Sequence, residues 1–559
     1  MILLSLALLL GLQEPPLFED WSERSGIKGV EASRVAFADL DGDGRPDAVL
    51  ECFKVFLNRG GRLERQATDA AFLPKPDGRR AQAVQFGDVD NDGALDLVFC
   101  FMTDRLNPQF TDDLRRNEIW RGDGKGGFAL VKGHGIEGPG ELSITACFLD
   151  YDRDGRLDLY IGNWYERPSV APECFPSRLY HGRGDGTFEE VTEKAGILGV
   201  REPGKRESRR PVFGAAHTDW NNDGLQDILV CVYGRQWNVL WKNNGDGTFT
   251  DVAASTTFDG DADRSGKYSD DVKKIFKERG TDLVDEGEWR SNGNTFDAAV
   301  ADFDNDGDMD CFLGEIAHWW AGPSSDKSML LVNQGAAGGF VFRRDPDRIK
   351  RAPQEGRWNQ GDLHCGWLDV DNDGRLDLLI ASSDYPDLQI LKLYHQKDDG
   401  QFEEWTDKLG FRWMNASQIS LGDFDRDGAT DILVGTNNMR LTEAQVKSRP
   451  LSAGLFRNAL AGRTGNGFFN LRLKGQAVGA RVTLTAGGVR QTREVYGGLG
   501  HAGHRDDTDC RFGIGKAKVI DKIEVRWPDA ANTLQTFEGV EINRFFTLEK
   551  GGKLAGTTK

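Results

Sequence analysis

The sequence predicts an all-β fold, a seven-bladed β-propeller with a small C-terminal β domain, on three observations. An acidic nine-residue segment of the form D-x-(D/N)-x-D-G-x-x-D occurs seven times. Each copy lies between two short runs rich in Val, Ile, Leu and aromatics, which read as strands. A Gly/Asp/Asn turn flanked by apolar residues, as in GDGTF, follows in most units and reads as a hairpin. Each unit therefore supplies about four short strands. Radial repetition of such units leaves only short edges exposed.

The segments are DLDGDGRPD from Asp39, DVDNDGALD from Asp88, DYDRDGRLD from Asp150, DWNNDGLQD from Asp219, DFDNDGDMD from Asp302, DVDNDGRLD from Asp369 and DFDRDGATD from Asp423. Runs such as RVAFA, AVQFG and ACFL precede them, and AVL, LVF, LYIG, ILV or LLI follow. The hairpins include LYHGRGDGTFEEVTEKAGI from Leu179, LWKNNGDGTFTDVA from Leu240 and LYHQKDDGQFEEWTDKLGF from Leu393. Near the start, LFEDWSERSGI from Leu17 resembles the end of a unit but has no unit before it. It is expected to complete the seventh blade and fasten the ring. An open solenoid, the alternative, would be expected to carry capping repeats.

Alternate carboxylates on a curling segment place oxygens at positions one, three, five, seven (a backbone carbonyl) and nine, the pattern of a calcium loop. The expected ligands are Asp39, Asp41, Asp43, Arg45 and Asp47; Asp88, Asp90, Asp92, Ala94 and Asp96; Asp150, Asp152, Asp154, Arg156 and Asp158; and Asp219, Asn221, Asp223, Leu225 and Asp227. The last three loops offer Asp302, Asp304, Asp306, Asp308 and Asp310; Asp369, Asp371, Asp373, Arg375 and Asp377; and Asp423, Asp425, Asp427, Ala429 and Asp431. Position six is glycine in every copy, where the curl needs its conformational freedom. A single copy could be a solvated turn; seven with the same glycine point to about seven Ca2+ ions. The nine-residue pattern contains no sulfur or imidazole, which argues against zinc or copper there. An irregular eighth stretch, with Asp259, Asp261 and Asp263, lies in the longest insertion, about residues 255–293, and reads as a polar surface excursion, with an extra calcium site as the alternative.

These loops and hairpins resemble the FG-GAP or VCBS-type repeats of integrin α propellers and many exported bacterial proteins, over roughly residues 17–460. The resemblance implies that calcium stabilises the ring and that ligands are recognised by other loops or a partner. After about residue 465 the pieces VGARVTLTAGG at Val478, REVYGGLG at Arg493, RFGIGKA at Arg511 and IEVRWPDA at Ile523 resemble an ASPIC/UnbV-type domain. This chain departs from the usual form at HAGHRDDTD. That stretch, with His501, His504, Asp506, Asp507 and Asp509, reads as an exposed polar loop in preference to a transition-metal site. The expected division is a signal peptide at 1–15, a propeller at 16–463 and the C-terminal domain at 464–559.

The chain has 559 residues and a formal net charge of −19, with no basic stripe, which argues against nucleic acid or an anionic membrane as partner. Residues Ile2 to Leu10 form an apolar run of signal-peptide length, too short to span a bilayer, so export to a secreted, periplasmic or cell-surface location is expected. Eight cysteines show no CxxC pair, and free buried thiols are the default reading for those in strand-like runs.

No GxSxG, P-loop, HExxH or Rossmann fingerprint is present. The residues five before each first aspartate are Arg34, Ala83, Thr145, Gly214, Asp297, His364 and Gln418, expected to begin the innermost strands. Asp297 and His364, from neighbouring units, together with His318 are the candidate catalytic groups. Trp164, Tyr165, Trp237, Trp319 and Trp320 recur in loops after the second strand and are the candidate ligand-binding aromatics. The expected function is an exported calcium-binding repeat protein that recognises an extracellular glycan or protein. The alternative is a calcium-stabilised extracellular enzyme, a glycan lyase or hydrolase or a metal-assisted oxidative enzyme, acting at the channel mouth.

Overall fold

The computed structural model describes residues 15–67, 79–103, 117–138, 141–166, 173–351, 359–383, 390–439, 441–448, 451–503 and 505–557. The apolar N-terminal run and His504 lie outside them. Among the described residues, seven four-stranded antiparallel units form the blades. Blade 1 comprises Val35–Ala38, Asp47–Leu50, Lys54–Asn58 and Leu63–Arg65, joined in that order. Blades 2 to 6 repeat the plan, with innermost strands at Arg79–Gly87, Ser143–Leu149, Val212–Thr218, Thr295–Ala301 and Gln360–Leu368.

Blade 7 is built from both ends of the ring. Its inner strands are Ala416–Gly422, Asp431–Thr436 and Gly454–Asn458, and its fourth is Phe18–Asp20, with Phe18 opposite Asn458 and Asp20 opposite Phe456. The ring thus closes by the N-terminal strand, as the Leu17 segment predicts. The apolar cores lie between neighbouring blades. One combines Val35, Phe37 and Leu50 of blade 1 with Leu433 and Leu455 of blade 7. No blade can bury its faces without a neighbour, so cooperativity around the ring follows.

A polar seam runs between blades beside the cores. The Asn58 side chain donates to Pro46 O and, across the closure, to Phe424 O of blade 7, at 3.1 and 2.9 Å. Asn243, Asn333, Gln396 and Asn458 do the equivalent, reaching the carbonyl after the first aspartate of the preceding blade's loop.

The innermost strands share a bulge near their start. Register shifts single out Ile144, Phe213, Phe296 and Leu363 in blades 3 to 6. A bulge re-aims a side chain, and these four, with Ile316, form an apolar cluster.

After a one-turn helix at Ala461–Thr464, the C-terminal domain forms two four-stranded sheets. One joins Gly467–Lys474 to Cys510–Gly515, Arg544–Glu549 and Ala555–Thr557; the other joins Arg481–Ala486 to Val489–Glu494, Ile520–Arg526 and Leu534–Val540. Phe469, Leu471, Val482, Leu484, Ile523 and Trp527 fill the space between them. All eight cysteines are buried, and none of them forms a disulfide.

Candidate metal centres and channel

The acidic segments are one structure repeated. The position-six N–H donates to the first aspartate at 2.8–3.0 Å in loops 1 to 4, 6 and 7, from Gly44, Gly93, Gly155, Gly224, Gly374 and Gly428. The position-seven N–H donates to the position-five carboxylate at 2.9 Å in all seven loops. The last aspartate accepts from the third strand: Asp47 from Asn58 N at 2.6 Å and Asp431 from Asn458 N at 2.8 Å, for instance. Each loop therefore ties together the first three strands of its blade.

Backbone donors do not use up the oxygens. Asp39 Oδ1, Asp219 Oδ1, Asp304 Oδ1, Asp310 Oδ2 and Asp371 Oδ1 are buried without a hydrogen-bond partner. In loop 1, ligand atoms of Asp39, Asp41 and Asp43 lie within 4.8 Å of one another. Burial pushes Asp47 and Asp150 up to about 8 and Asp96 to about 7, while Asp423 and Asp431 rise well above the usual range. Carboxylates this close and this desolvated need either protons or a cation. The carboxylate-rich donor set fits a hard divalent ion, which would supply the missing counter-charge.

Two loops carry an imidazole that the nine-residue pattern does not reveal. His181 Nδ1 is 3.1 Å from Asp158 and 3.4 Å from Asp152; His395 Nδ1 is 2.9 Å from Asp377 Oδ1. The Asp158 bond raises the His181 pKa; for His395, burial lowers it but the Asp377 bond and neighbouring charges outweigh that. Both come from the third strand, so the absence of imidazole from these centres is corrected. The signal was the LYH that opens both hairpins.

The channel is not open. The segment between Glu494 and Cys510 leaves the C-terminal domain and enters it. Gly497 pairs with Phe148 and His501 with Gly214 as β-bridges. Thr145 Oγ1 donates to Gly500 O at 2.9 Å, and Gly497 N donates to His217 Nε2 at 2.8 Å. On the return, Arg505 donates to Phe86 O at 2.8 Å, Ser420 Oγ donates to Arg505 O at 2.5 Å, and Leu421 N donates to Asp506 at 2.7 Å. His501 stacks on the bulged Phe213 at 4.9 Å and lies 5.0 Å from Phe296, centroid to centroid. Burial holds its pKa well below the usual histidine range, so it is neutral.

HAGHRDDTD is thus not an exposed polar loop: His501, Arg505 and Asp507 are at most 6% exposed. The glycines of YGGLGHAG make the insertion possible. A Cβ at Gly497 would overlap Phe148 O, one at Gly498 would overlap Gln85, and one at Gly500 would overlap Asp297 Oδ1.

The candidate catalytic pair is correspondingly reassigned. Asp297 and His364 do meet, 3.7 Å apart, but both are fully buried under Gly500. Asp297 accepts from Ala298 N and Cys365 N at 2.9 and 2.7 Å, so it pins two innermost strands and seats the plug. His318 is elsewhere, stacked on Trp320 at 5.2 Å.

The C-terminal domain also reaches the loops. Arg472 pairs with Asp39 and reaches Asp509 at 2.5 Å, Asn470 donates to Asp423 Oδ2 at 3.2 Å, and Arg481 donates to Asp219 O at 2.7 Å. Arg493 lies within electrostatic range of Asp302 and Asp369. Five of the seven first aspartates are thereby addressed by this domain.

On the opposite face, the candidate aromatics divide. Trp237 is buried beneath the Arg206 guanidinium, 4.0 Å from the ring centroid, and belongs to the packing. Trp164 is half-buried against Phe213 and Tyr233, at 4.1 and 5.4 Å, with half-buried Tyr165 beside it at 6.0 Å. Half-buried Trp320 packs on Tyr268 and Phe276 from the long insertion, with Arg235 5.2 Å above its ring. Trp319 is also half-buried, its N–H donating to Asn359. In the insertion, Asp259 is not a surface residue: it is fully buried and paired with Arg206 and Arg264.

Fold and loops define an acidic-loop propeller capped by a two-sheet domain. A family profile described as FG-GAP-like repeat matches residues 219–272 and 369–434, and one described as ASPIC and UnbV matches 471–555. The chain therefore carries FG-GAP-like repeats and an ASPIC/UnbV domain. It is similar to cartilage acidic protein 1 of Mus musculus, 24% identical over 542 residues covering 91% of this chain and 72% of that protein. The Homo sapiens protein of that name is 24% identical over 550 residues, covering 91% and 70%. Among solved structures, the fucose-recognising lectin of Aleuria aurantia, a six-bladed propeller, matches at 9% identity over 72% of this chain and 98% of its own, TM-score 0.32. A Bacillus licheniformis rhamnogalacturonan lyase matches at 14% identity over 77% and 86%, TM-score 0.29. At these scores neither bears on what this chain binds. Among the described residues no helix is long and apolar enough to cross a membrane.

Proposed function

We propose that this chain is an exported, calcium-stabilised propeller that recognises an extracellular glycan or protein with the face opposite its C-terminal domain. About seven Ca2+ ions would sit in the acidic loops and hold the first three strands of each blade. The observation that carries the reading is the division of the molecule. The C-terminal domain occupies the loop face and the channel, and leaves a half-exposed rim of Trp164, Tyr165, Tyr233 and Trp320 on the other face, with Arg235 buried against it. These residues are neighbours: the space a Cβ would take on Gly234 is filled by the Tyr165 hydroxyl, and Arg235 covers Trp320. Rigid aromatic rings beside a guanidinium suit sugar faces and protein hot spots alike. An enzymatic site at Asp297 and His364 would require the plug to leave.

The test is binding of purified protein to an array of extracellular polysaccharides and matrix proteins, repeated with Tyr165→Ala and Trp320→Ala. The reading expects a ligand whose affinity falls at least tenfold in both variants while calcium content and melting stay near wild type. A ligand bound equally well by both variants would place recognition elsewhere and overturn it.

A further inference from the structure

The acidic loops do not contain all the buried carboxylates that lack partners. A second set lies on the rim side, where the long insertion meets blade 5. Asn292, Glu315 and Asp326 are 1%, 1% and 4% exposed. Glu315 Oε1 accepts from Thr295 Oγ1 at 2.6 Å, and Asp326 Oδ2 accepts from Asp261 N at 3.0 Å. Glu315 Oε2, Asp326 Oδ1 and both polar atoms of the Asn292 amide are buried without a hydrogen-bond partner. The three residues meet in one place. Asp326 N donates to Asn292 O at 3.4 Å. The Asn292 side chain fills the Cβ space of Gly260, next to Asp261, and Glu315 Oε2 fills that of Gly293, next to Asn292.

The surrounding charges do not balance. Arg206 and Arg264 are committed to Asp259. Arg351 and Ser328 are committed to Asp362, which Lys392 also faces. Arg344, 4.0 Å from Asp326 Oδ2, and the Arg264 charge shared with Asp259 are two cations facing three carboxylates, Asp261, Glu315 and Asp326. A buried water could meet the hydrogen-bond demand but not the charge. Every unmet acceptor is an oxygen, with no sulfur or imidazole among them, which is the donor chemistry of a hard cation.

We propose that Asn292, Glu315 and Asp326, with Asp261 alongside, bind one divalent cation, calcium by its donor set, at a site separate from the seven acidic loops. The ion would clamp the insertion to blade 5. That matters for the rim, because Tyr268 and Phe276 of the insertion hold Trp320 in place. Consistent with a missing counter-charge, burial and the neighbouring Asp326 hold Glu315 far above the usual carboxylate range. The proposal does not depend on the acidic loops binding calcium.

The experiment is calcium per chain by elemental mass spectrometry after equilibrium dialysis, for wild type, Glu315→Gln, Asp326→Asn and the loop control Asp41→Asn. Glu315→Gln and Asp326→Asn are each expected to lose one ion, with gel-filtration elution unchanged, whatever number the loops hold. One ion in wild type and none in Glu315→Gln would keep this site and remove calcium from the loops. About seven ions in wild type and in both rim-side variants would do the reverse and overturn the proposal. Should neither variant fold, deuterium exchange of wild-type residues 257–293 is read during a calcium titration, against the loop segment 423–431. Protection of 257–293 with its own midpoint supports the site; exchange unaffected by calcium, or following the loops throughout, overturns it.

Discussion

The two faces of the propeller are made from the same seven repeats, yet they are built to opposite standards. On the loop face every connection between first and second strand has eight residues, one glycine position and one set of backbone bonds. On the rim face the connection between second and third strand runs from three residues in blade 1, 51–53, to seventeen in blade 7, 437–453. The regular face is addressed by the C-terminal domain through Arg472, Arg481, Arg493 and Asn470. The irregular face carries half-exposed aromatics. A face built from one repeated loop and one docked domain tolerates little variation, whereas loops on a rigid scaffold without that constraint are free to differ. The regular face is thus the chassis and the irregular face the place to look for a ligand.

Removing the cations should break the comparison most severely. At free calcium one hundred times Kd, each site adds about 2.7 kcal/mol, so three or four loops match the whole stability of an ordinary domain, about 5–15 kcal/mol. Chelation is expected to lower the calorimetric melting midpoint by roughly 15 °C or more. A shift of a degree or two would mean that the loops stand without metal.

The chelated protein should also show an inverted pH response. Its loop carboxylates have folded pKa values above their unfolded value, about 8 for Asp47 and Asp150 and about 7 for Asp96, with burial as the main cause. The folded state then binds more protons, so stability falls as pH rises from about 4 to about 8. In chelator the protein is expected to melt higher at pH 5.5 than at pH 8; the opposite order would show that the loops are not short of positive charge.

Single substitutions sharpen the picture. Asn58→Ala leaves the carbonyls of Pro46 and Phe424 unpaired at the closure and should cost about 3 kcal/mol by denaturant titration. Gly500→Ala forces a Cβ onto Asp297 at a φ of 49°, and should cost about 2–4 kcal/mol while making residues 496–509 cleavable by thermolysin. Arg59→Ala, by contrast, removes an exposed partner of Asp41 and should change stability by less than about 1 kcal/mol.

The blades, their number and the closure by Leu17–Ile27 were legible because repetition multiplies a weak signal. No single DxDxDG segment would have carried the inference. The clustering of the loop carboxylates was legible for the same reason, because they are adjacent in sequence. What stayed hidden depends on contacts between distant segments. The imidazoles at two loops come from strands more than 17 residues away, though LYH in both hairpins hinted at them. The plug was misread because HAGHRDDTD is polar, and polarity suggests exposure. Its backbone polar groups are instead satisfied by the innermost strands, and its glycines, unremarked in sequence, are what allow the approach. Asp297 and His364 were rightly placed as neighbours, 3.7 Å apart, but their burial under the plug cannot be read from residue type.

The account's central claim is that the acidic loops and the C-terminal plug form one cation-held unit, distinct from the rim. Hydrogen–deuterium exchange by mass spectrometry, in calcium and after chelation at a temperature below the melting point of both, tests it directly. The account predicts that exchange rises together in the seven loops and in residues 496–507 on chelation, while the outer strand Phe342–Asp345 on the rim side of blade 5 changes less. Loops that exchange while the plug stays protected, or a plug that exchanges freely in calcium, would contradict it.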